Sequence, residues 1–220
     1  MSREEVIRQL QKEKLLLVTR GIYDEELLKL AEAMVAGGIR IFEITYDQKD
    51  PDTLEVTAWN MKMLKEHFGD ALTLGTGTVL TVEQVRNARE CGAQFVVSPS
   101  FDEEVVRETL RLDMMAVPGC MTPTEIAAAA KAGADFIKLF PAGTLGFKYC
   151  RDIMAPLNHV RYLATVGINE ETFRQYLDLG FAAAGASSYL VDKNLRRQGN
   201  WAELTERARR LVAIAQEYSR

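Results

Sequence analysis

Short β-type runs alternate with helical patterns along nearly the whole chain, and this alternation restricts the possible folds more than any other sequence feature. It predicts eight strands, at Leu15–Thr19, Ile39–Thr45, Leu72–Gly75, Gln94–Ser98, Met114–Pro118, Asp135–Phe140, Val160–Thr165 and Ala182–Ala186. Each strand is followed by a predicted helix, at Asp24–Ala36, Asp52–His67, Thr81–Glu90, Asp102–Leu112, Thr122–Lys131, Phe147–Ala155, Glu170–Leu179 and Trp201–Tyr218. A further helix is predicted at residues 2–12, ahead of the first strand.

Strict alternation is typical of a parallel sheet with helical crossovers, and eight units favour a closed barrel over an open sheet. A flavodoxin-like or Rossmann sheet is the rival, but the first strand-to-helix turn, Thr19-Arg20-Gly21, lacks the GxGxxG pattern. No linker or low-complexity tract divides the chain. The sequence therefore predicts an α/β protein in which residues 1–220 form a single (β/α)8 TIM barrel with an extra N-terminal helix.

Composition limits the partners of the chain. A formal net charge of -4 argues against a general nucleic-acid or membrane binder, and the arginines of Arg207–Arg210 are interpreted as a solvated helix face. No apolar run approaches the roughly 20 residues that a membrane span needs, and the charged N-terminus has no apolar signal core. Three distant cysteines (Cys91, Cys120 and Cys150) without a CxxC pair suit reduced thiols. We expect a cytoplasmic protein.

The predicted strand Asp135–Phe140 carries one lysine in an otherwise apolar sequence. Because side chains alternate along a strand, Phe136, Lys138 and Phe140 share one face. Burial lowers the pKa of a lysine, and a neutral amine is a nucleophile towards carbonyl groups. The alternative is a lysine whose stem packs while its ammonium reaches past the strand end. The strand thus marks Lys138 as a candidate Schiff-base lysine.

Glu43 is a second anomaly of the same kind. It lies in a predicted strand and shares a face with Ile41 and Thr45 if Phe42 and Ile44 pack against helices. In a (β/α)8 barrel, chemistry is located at the carboxyl ends of the strands. Glu43 and Lys138 either form a buried salt bridge of little net stability or supply a nucleophile and an acid/base group to one cavity. Their position at strand ends favours the second interpretation.

Four segments in order resemble the class I 2-keto-3-deoxy-6-phosphogluconate (KDPG) and 2-keto-4-hydroxyglutarate (KHG) aldolases, including their phosphogalactonate relatives. The segments are Ala36-Gly-Gly-Ile-Arg-Ile-Phe-Glu43-Ile-Thr, Gly75-Thr-Gly-Thr78-Val-Leu, Val117-Pro-Gly-Cys-Met-Thr-Pro-Thr-Glu125 and Ile137-Lys138-Leu-Phe-Pro-Ala142. Each is weak alone, but their common order and spacing are specific. The resemblance covers nearly the whole chain and implies a barrel that cleaves a 2-keto-3-deoxy sugar acid, phosphorylated or not, or KHG to pyruvate and an aldehyde.

The resemblance also implies roles for individual residues. Lys138 would form the Schiff base, Glu43 would transfer protons, and Arg20 would hold the substrate carboxylate. Thr78 and Phe140 would line the pyruvate pocket. The remaining expected substrate-binding residues follow the last two strands, where barrels commonly bind phosphate: Thr165, Gly167, Gly185 and Ser188.

No cofactor or metal is expected, because the imine chemistry that the resemblance implies needs none. The two histidines, His67 and His159, have no paired ligand spacing, which argues against a zinc-dependent class II aldolase. A homotrimer is expected by resemblance alone.

Three departures from the family pattern concern the far end of the substrate. Asp47 stands where an arginine is usual, Val166 replaces the first glycine of a Gly-Gly pair, and Ser187 precedes Ser188 where glycine is usual. These changes predict weaker recognition of a 6-phosphate. They also leave open a non-catalytic sugar-acid-binding barrel, while a sugar-phosphate epimerase on a similar barrel is a third hypothesis.

Overall fold

The computed structural model describes residues 1–219, which form one parallel sheet surrounded by helices. The strands are β1 (Leu15–Thr19), β2 (Ile41–Thr45), β3 (Thr73–Gly77), β4 (Phe95–Val97), β5 (Met115–Val117), β6 (Gly119–Cys120), β7 (Ile137–Leu139), β8 (Tyr162–Thr165) and β9 (Ala183–Ala186). The helices are α1 (Arg3–Glu13), α2 (Asp24–Ala36), α3 (Thr53–Phe68), α4 (Val82–Glu90), α5 (Glu103–Arg111), α6 (Pro123–Lys131), α7 (Ala142–Met154), α8 (Glu170–Asp178), α9 (Lys193–Arg197) and α10 (Trp201–Glu217). A short 3-10 helix, Gly69–Ala71, follows α3.

The nine strands are eight barrel strands, because β5 and β6 are two halves of one. Only Pro118 separates them, and proline has no N–H to donate to a ladder. The first half pairs with β4 and the second with β7. The backbone N–H of Asp135 donates to the oxygen of Ala116 at 3.0 Å and that of Lys138 to Pro118 at 2.9 Å. The divided strand closes the circle, and the predicted barrel with its N-terminal helix is confirmed.

The sheet separates the apolar core into an inner cluster, inside the barrel, and an outer cluster, between strands and helices. Along β2, Ile41 belongs to the inner cluster, whereas Phe42 and Ile44 belong to the outer one. Since side chains alternate along a strand, Glu43 lies on the inner face, as the sequence pattern predicts. The core thus consists of two apolar layers, and Glu43 is a charged side chain on the inner face.

The N-terminal helix α1 closes the barrel at the amino ends of the strands. Three of its apolar side chains complete the inner cluster: Val6, Ile7 and Leu10. Arg3 connects the helix to the segment just before β7 through a bidentate ion pair with Asp135. The Nη2–Oδ1 distance is 2.7 Å and the Nε–Oδ2 distance is 3.0 Å. Asp135 Oδ2 also accepts from the backbone N–H of Ala116 at 2.9 Å. The interior is therefore sealed at this end.

Two helical segments differ from the prediction. Helix α7 begins at Ala142 rather than Phe147, with a non-helical glycine, Gly146, inside it. Glycines in this stretch lower the helical signal of the sequence. Helix α9 was not predicted, because its five residues are too few and too polar to show apolar periodicity. Neither difference alters the order of the strands.

Candidate active site

Lys138 lies in the middle of β7 and points into the barrel. Its neighbours Ile137 and Leu139 belong to the outer cluster, and Phe136 belongs to the inner one. Only 7% of Lys138 is exposed, and its side chain lines a cavity rather than extending past the strand end. The ammonium nitrogen lies 4.9 Å from the centre of the Phe140 ring. The amine is therefore both buried and accessible to a small molecule in the cavity.

Glu43 projects into the same interior from β2 and is 1% exposed. Its side chain passes directly over Gly77, where an added Cβ would lie 1.8 Å from Glu43 Oε1. Gly75, two residues earlier on β3, similarly makes room for the ring of Phe95. Sequence reasoning missed the role of Gly77, although two glycines on one face of a strand signal that neighbouring side chains cross there. This glycine fixes where the carboxylate can lie.

Burial shifts the pKa of each of the two groups in the direction that stabilises its neutral form. Desolvation raises the pKa of the Glu43 carboxyl, against the opposing charges of Lys138 and Arg20. Desolvation also lowers the pKa of Lys138; the Glu43 charge opposes this change, and the Arg20 charge adds to it. The site therefore favours the neutral amine that carbonyl addition requires.

Arg20, after β1, is held by the turn that follows β3. Its Nη2 donates to Thr78 Oγ1 at 2.8 Å, and the Thr78 carbonyl oxygen accepts from Gln48 Nε2 at 2.7 Å. Gln48 Oε1 in turn accepts from Gln84 Nε2 at 3.0 Å. Thr78 does not line the cavity, whereas Arg20 does. In this structure Thr78 therefore acts on the cavity through the orientation of Arg20.

A cavity of about 230 Å³ opens at the carboxyl ends of β1, β7, β8 and β9. Seven predicted site residues line it: Arg20, Lys138, Phe140, Thr165, Gly167, Gly185 and Ser188. Val18, Val166, Ile168 and Ser187 complete the lining. Asp47 is not among these residues, and its carboxylate accepts from the backbone N–H of Lys49 at 3.0 Å. The structure thus brings seven of the predicted site residues to one cavity, whereas Glu43, Thr78 and Asp47 are not among the residues that line it.

Three buried side-chain oxygens have no hydrogen-bond partner within residues 1–219, and they belong to Glu43 (Oε1), Thr76 (Oγ1) and Thr165 (Oγ1). An unsatisfied buried acceptor or hydroxyl costs roughly 1–3 kcal/mol. Such groups in a native structure call for an explanation, and catalysis is a common one. Of these three residues, Thr165 lines the cavity, so its unpaired hydroxyl belongs to a residue of the cavity wall.

The loop after β8 holds a valine in a conformation that favours glycine. Val166 has a φ of 76° and Gly167 a φ of 74°, and the left-handed region is a genuine outlier for a β-branched residue. An added Cβ on Gly143 would lie 2.4 Å from the Val166 carbonyl oxygen, so α7 packs tightly beneath the loop. Thr172 Oγ1 donates to the Gly167 oxygen at 2.7 Å. These contacts keep the glycine-like backbone in place although a side chain now projects from it.

Two kinds of feature are absent from residues 1–219. No helix there is long and apolar enough to cross a membrane. No group of three or more His, Cys, Asp or Glu side chains there is placed to hold a metal ion.

Comparison with known proteins identifies relatives over nearly the full chain. The profile of the family described as KDPG and KHG aldolase matches residues 6–207. The 2-dehydro-3-deoxy-phosphogluconate aldolase of Treponema pallidum is 35% identical over 86% of this chain and 88% of the relative. The 2-dehydro-3-deoxy-6-phosphogalactonate aldolase of Escherichia coli is 31% identical over 93% and 94%.

Solved structures agree with this assignment. KDPG aldolase from Legionella pneumophila, with pyruvate captured as a covalent carbinolamine intermediate, superposes with a TM-score of 0.80, at 26% identity over 92% of this chain and 96% of the other. A designed protein cage, made by fusing symmetric oligomeric domains, matches with a TM-score of 0.80 and 30% identity over 94% of this chain and 73% of the cage chain. The chain belongs to the KDPG and KHG aldolase family of carbon–carbon lyases.

Proposed function

We propose that the protein cleaves its 2-keto acid through a Schiff base on Lys138, with Glu43 as the acid/base group. The observation that carries this proposal is the pairing of a buried lysine that lines the cavity with a buried glutamate on the same inner face. Burial lowers the pKa of the amine and raises that of the carboxyl. Imine chemistry requires two groups, a neutral amine that attacks the ketone and a carboxyl that transfers protons.

The reaction follows from these two groups. The Lys138 amine adds to the C2 ketone to give a carbinolamine. The Glu43 carboxyl then donates a proton to the carbinolamine hydroxyl, which leaves as water, so that a protonated imine and a Glu43 carboxylate remain. Glu43 takes the proton of the C4 hydroxyl, the C3–C4 bond breaks, and its electron pair moves into the iminium to give an enamine and a free aldehyde. The Glu43 carboxyl then donates its proton to C3 of the enamine. Hydrolysis of the resulting imine releases pyruvate and the neutral amine, and the Glu43 carboxylate takes up the proton that is set free.

The pyruvate end of the substrate is assigned to the side of the cavity next to Lys138. Arg20 provides a planar fork of donors that suits a carboxylate, and its hydrogen bond to Thr78 holds that fork in place. Phe140 supplies an apolar surface beside the amine. The positive charge of Arg20 also favours the neutral form of Lys138.

The far end of the substrate is assigned to the loops after β8 and β9. Thr165, Gly167, Gly185 and Ser188 line this part of the cavity. Val166 lines it as well, and its left-handed backbone retains the shape that the Gly-Gly pattern would have. We propose that the Val166 side chain narrows the space for a 6-phosphate and favours a smaller or uncharged substrate.

Borohydride trapping tests the Schiff base directly. Incubation with pyruvate and sodium borohydride is expected to add one reduced pyruvate to the chain, and peptide mass mapping is expected to place it on Lys138. A non-catalytic sugar-acid-binding barrel would bind ligand without forming this adduct, and an epimerase needs no imine. Absence of an adduct over a broad pH range would refute the proposal.

Substitution of Val166 by glycine tests the specificity assignment. We expect Val166→Gly to raise kcat/KM for KDPG about tenfold relative to unphosphorylated 2-keto-3-deoxygluconate, because one recovered contact to a charged group contributes about 1.5 kcal/mol. Asp47→Asn is the control, since Asp47 lies outside the cavity wall. A wild-type preference for KDPG that Val166→Gly leaves unchanged would contradict the assignment.

We also propose that the protein is a homotrimer and that it is located in the cytoplasm. The match to a chain designed from fused symmetric oligomeric domains supports self-association. Light scattering after gel filtration is expected to give three times the chain mass of 24.7 kDa. A mass equal to that of one chain at micromolar concentration would contradict the trimer.

A further inference from the structure

A network of ionic and hydrogen-bonding side chains lies behind the far end of the cavity and joins the two loops assigned to it. We propose that Arg210 is a positioning residue, which sets the separation of these loops and thereby the binding of the substrate's far end. This inference rests on the proposed function, because it concerns the same cavity. The interpretation of the α10 arginines as a solvated face suits Arg209, whereas Arg207 and Arg210 contact the loop after β9.

The first contacts of the network join the loops to each other. Glu170 is the first residue of α8 and follows the loop of Val166 and Gly167, while Tyr189 directly follows Ser188. The Tyr189 hydroxyl donates to Glu170 Oε1. Two residues that do not line the cavity therefore connect the two segments that do.

Arg210 completes this connection from α10. Its Nε donates to Glu170 Oε1 at 2.7 Å, and its Nη2 lies 3.4 Å from the Tyr189 hydroxyl. The same Nη2 donates to Glu203 Oε1 at 3.0 Å, two turns back along the helix. One guanidinium thus contacts both loop-bearing residues from a rigid helix.

Arg207 supports the same arrangement one turn earlier. Its Nη1 donates to the Tyr189 backbone oxygen at 2.9 Å, and its guanidinium lies 4.8 Å from the centre of the Tyr189 ring. Tyr189 is therefore held at its backbone, its ring face and its hydroxyl. The loop after β9 is fixed to α10 on the side that faces away from the cavity.

Because the side chains of the network are partly exposed, we expect the network to affect the position of the loops more than the stability of the fold. The side chains of Arg210 and Glu170 are 41% and 43% exposed, and ion pairs of this kind contribute little net stability. A loop displaced by about 1 Å can nevertheless cost up to roughly a hundredfold in rate. Lys138, Glu43 and Arg20 are carried by other strands and are expected to keep their places when the network is cut.

The test separates the two ends of the substrate by using two reactions. Exchange of the pyruvate methyl protons with deuterium, followed by NMR, requires the imine and Glu43 but no far-end contact. Cleavage of KDPG and of KHG requires both ends. We expect Arg210→Met to raise KM for the better cleaved of these two substrates about tenfold while changing pyruvate exchange by less than about twofold.

Three variants provide the comparison. Arg209→Met is the matched control and is expected to match the wild type, because within residues 1–219 the ion pair of Arg209 is with Glu206, on the exposed surface of the same helix. Tyr189→Phe removes a single hydroxyl and is expected to give a smaller change of the same kind. Arg210→Lys is expected to restore part of the KM, since it keeps the charge and loses the fork.

Two outcomes would overturn the positioning role. One is an equal fall of both reactions in Arg210→Met, which would indicate general damage to the fold. The other is a lower melting temperature with unchanged KM in Arg210→Met and Tyr189→Phe. Absence of pyruvate exchange in the wild type would instead count against the Schiff-base proposal, which keeps the two failures distinct.

Discussion

Replacement of Lys138 by methionine is expected to lower kcat for aldol cleavage by at least about 10³-fold and to eliminate the borohydride adduct. The amine is the only group in the proposed reaction that becomes covalently bound, and methionine has none. Methionine keeps a flexible unbranched stem, so the inner face of β7 stays filled. Coupled detection of pyruvate measures turnover, and intact mass measures the adduct.

The pH dependence of stability provides the control for this variant. In the folded protein the pKa of Lys138 is lowered by burial, so the unfolded chain binds a proton more readily there. This linkage favours the unfolded state below the unfolded pKa of about 10.4 and vanishes above it. Methionine removes the effect, and Lys138→Met is expected to melt at or above the wild-type temperature at pH 7.

Three results would contradict this account of Lys138. Turnover above about one hundredth of the wild-type rate would show that the amine is not the nucleophile. A borohydride adduct on another lysine of the variant would move the Schiff base elsewhere. A marked loss of melting temperature would show that the charged pair with Glu43 stabilises the fold, which the buried, unpartnered Oε1 argues against.

Much of the barrel could be predicted from the sequence because its strands have a simple pattern. In β2 and β7 the apolar residues on both faces indicate burial on both sides, so Glu43 and Lys138 stand out without any knowledge of the neighbours. Once the strands are parallel and closed, their carboxyl ends must meet. The position of the site therefore follows from local pattern and from one rule of topology.

The features that the sequence did not reveal depend on contacts between distant segments. The space that Gly77 gives to Glu43 requires the pairing of β2 with β3. The network of Arg210 joins residues that lie 40 positions apart or less in the chain, but no periodic pattern relates them. Charged residues on a helix look alike in sequence whether they face solvent or a loop, so only the fold distinguishes Arg210 from Arg209.

Replacement of Glu43 by glutamine is expected to lower kcat by roughly 10²- to 10⁴-fold, the usual contribution of a general acid/base group. Glutamine has nearly the same shape, so it fits over Gly77 and leaves the cavity intact. KM is expected to change little, because the proposed carboxylate contact belongs to Arg20. Steady-state kinetics and pyruvate deuterium exchange are expected to fall together, since both need a proton transfer at carbon.

Glu13→Gln is the matched control for this variant, because burial also raises the pKa of Glu13, which lies on α1 away from the cavity. It is expected to keep wild-type activity. In Glu43→Gln the amine of Lys138 remains, so slow trapping of pyruvate by borohydride is still expected, in contrast to Lys138→Met. Equal losses in both glutamine variants would assign the effect to folding rather than to proton transfer.

The pH profile distinguishes the two groups in a further way. Wild-type activity is expected to fall with acid as Lys138 gains a proton and as Glu43, whose pKa is raised by burial, ceases to act as a base. In Glu43→Gln only the lysine titrates, so the acid side of the kcat/KM profile is expected to change from two protonations to one. Loss of the negative neighbour also removes the charge that opposes the low pKa of Lys138. The remaining protonation is therefore expected at a lower pH than in the wild type, whereas an unchanged profile would exclude Glu43 from the reaction.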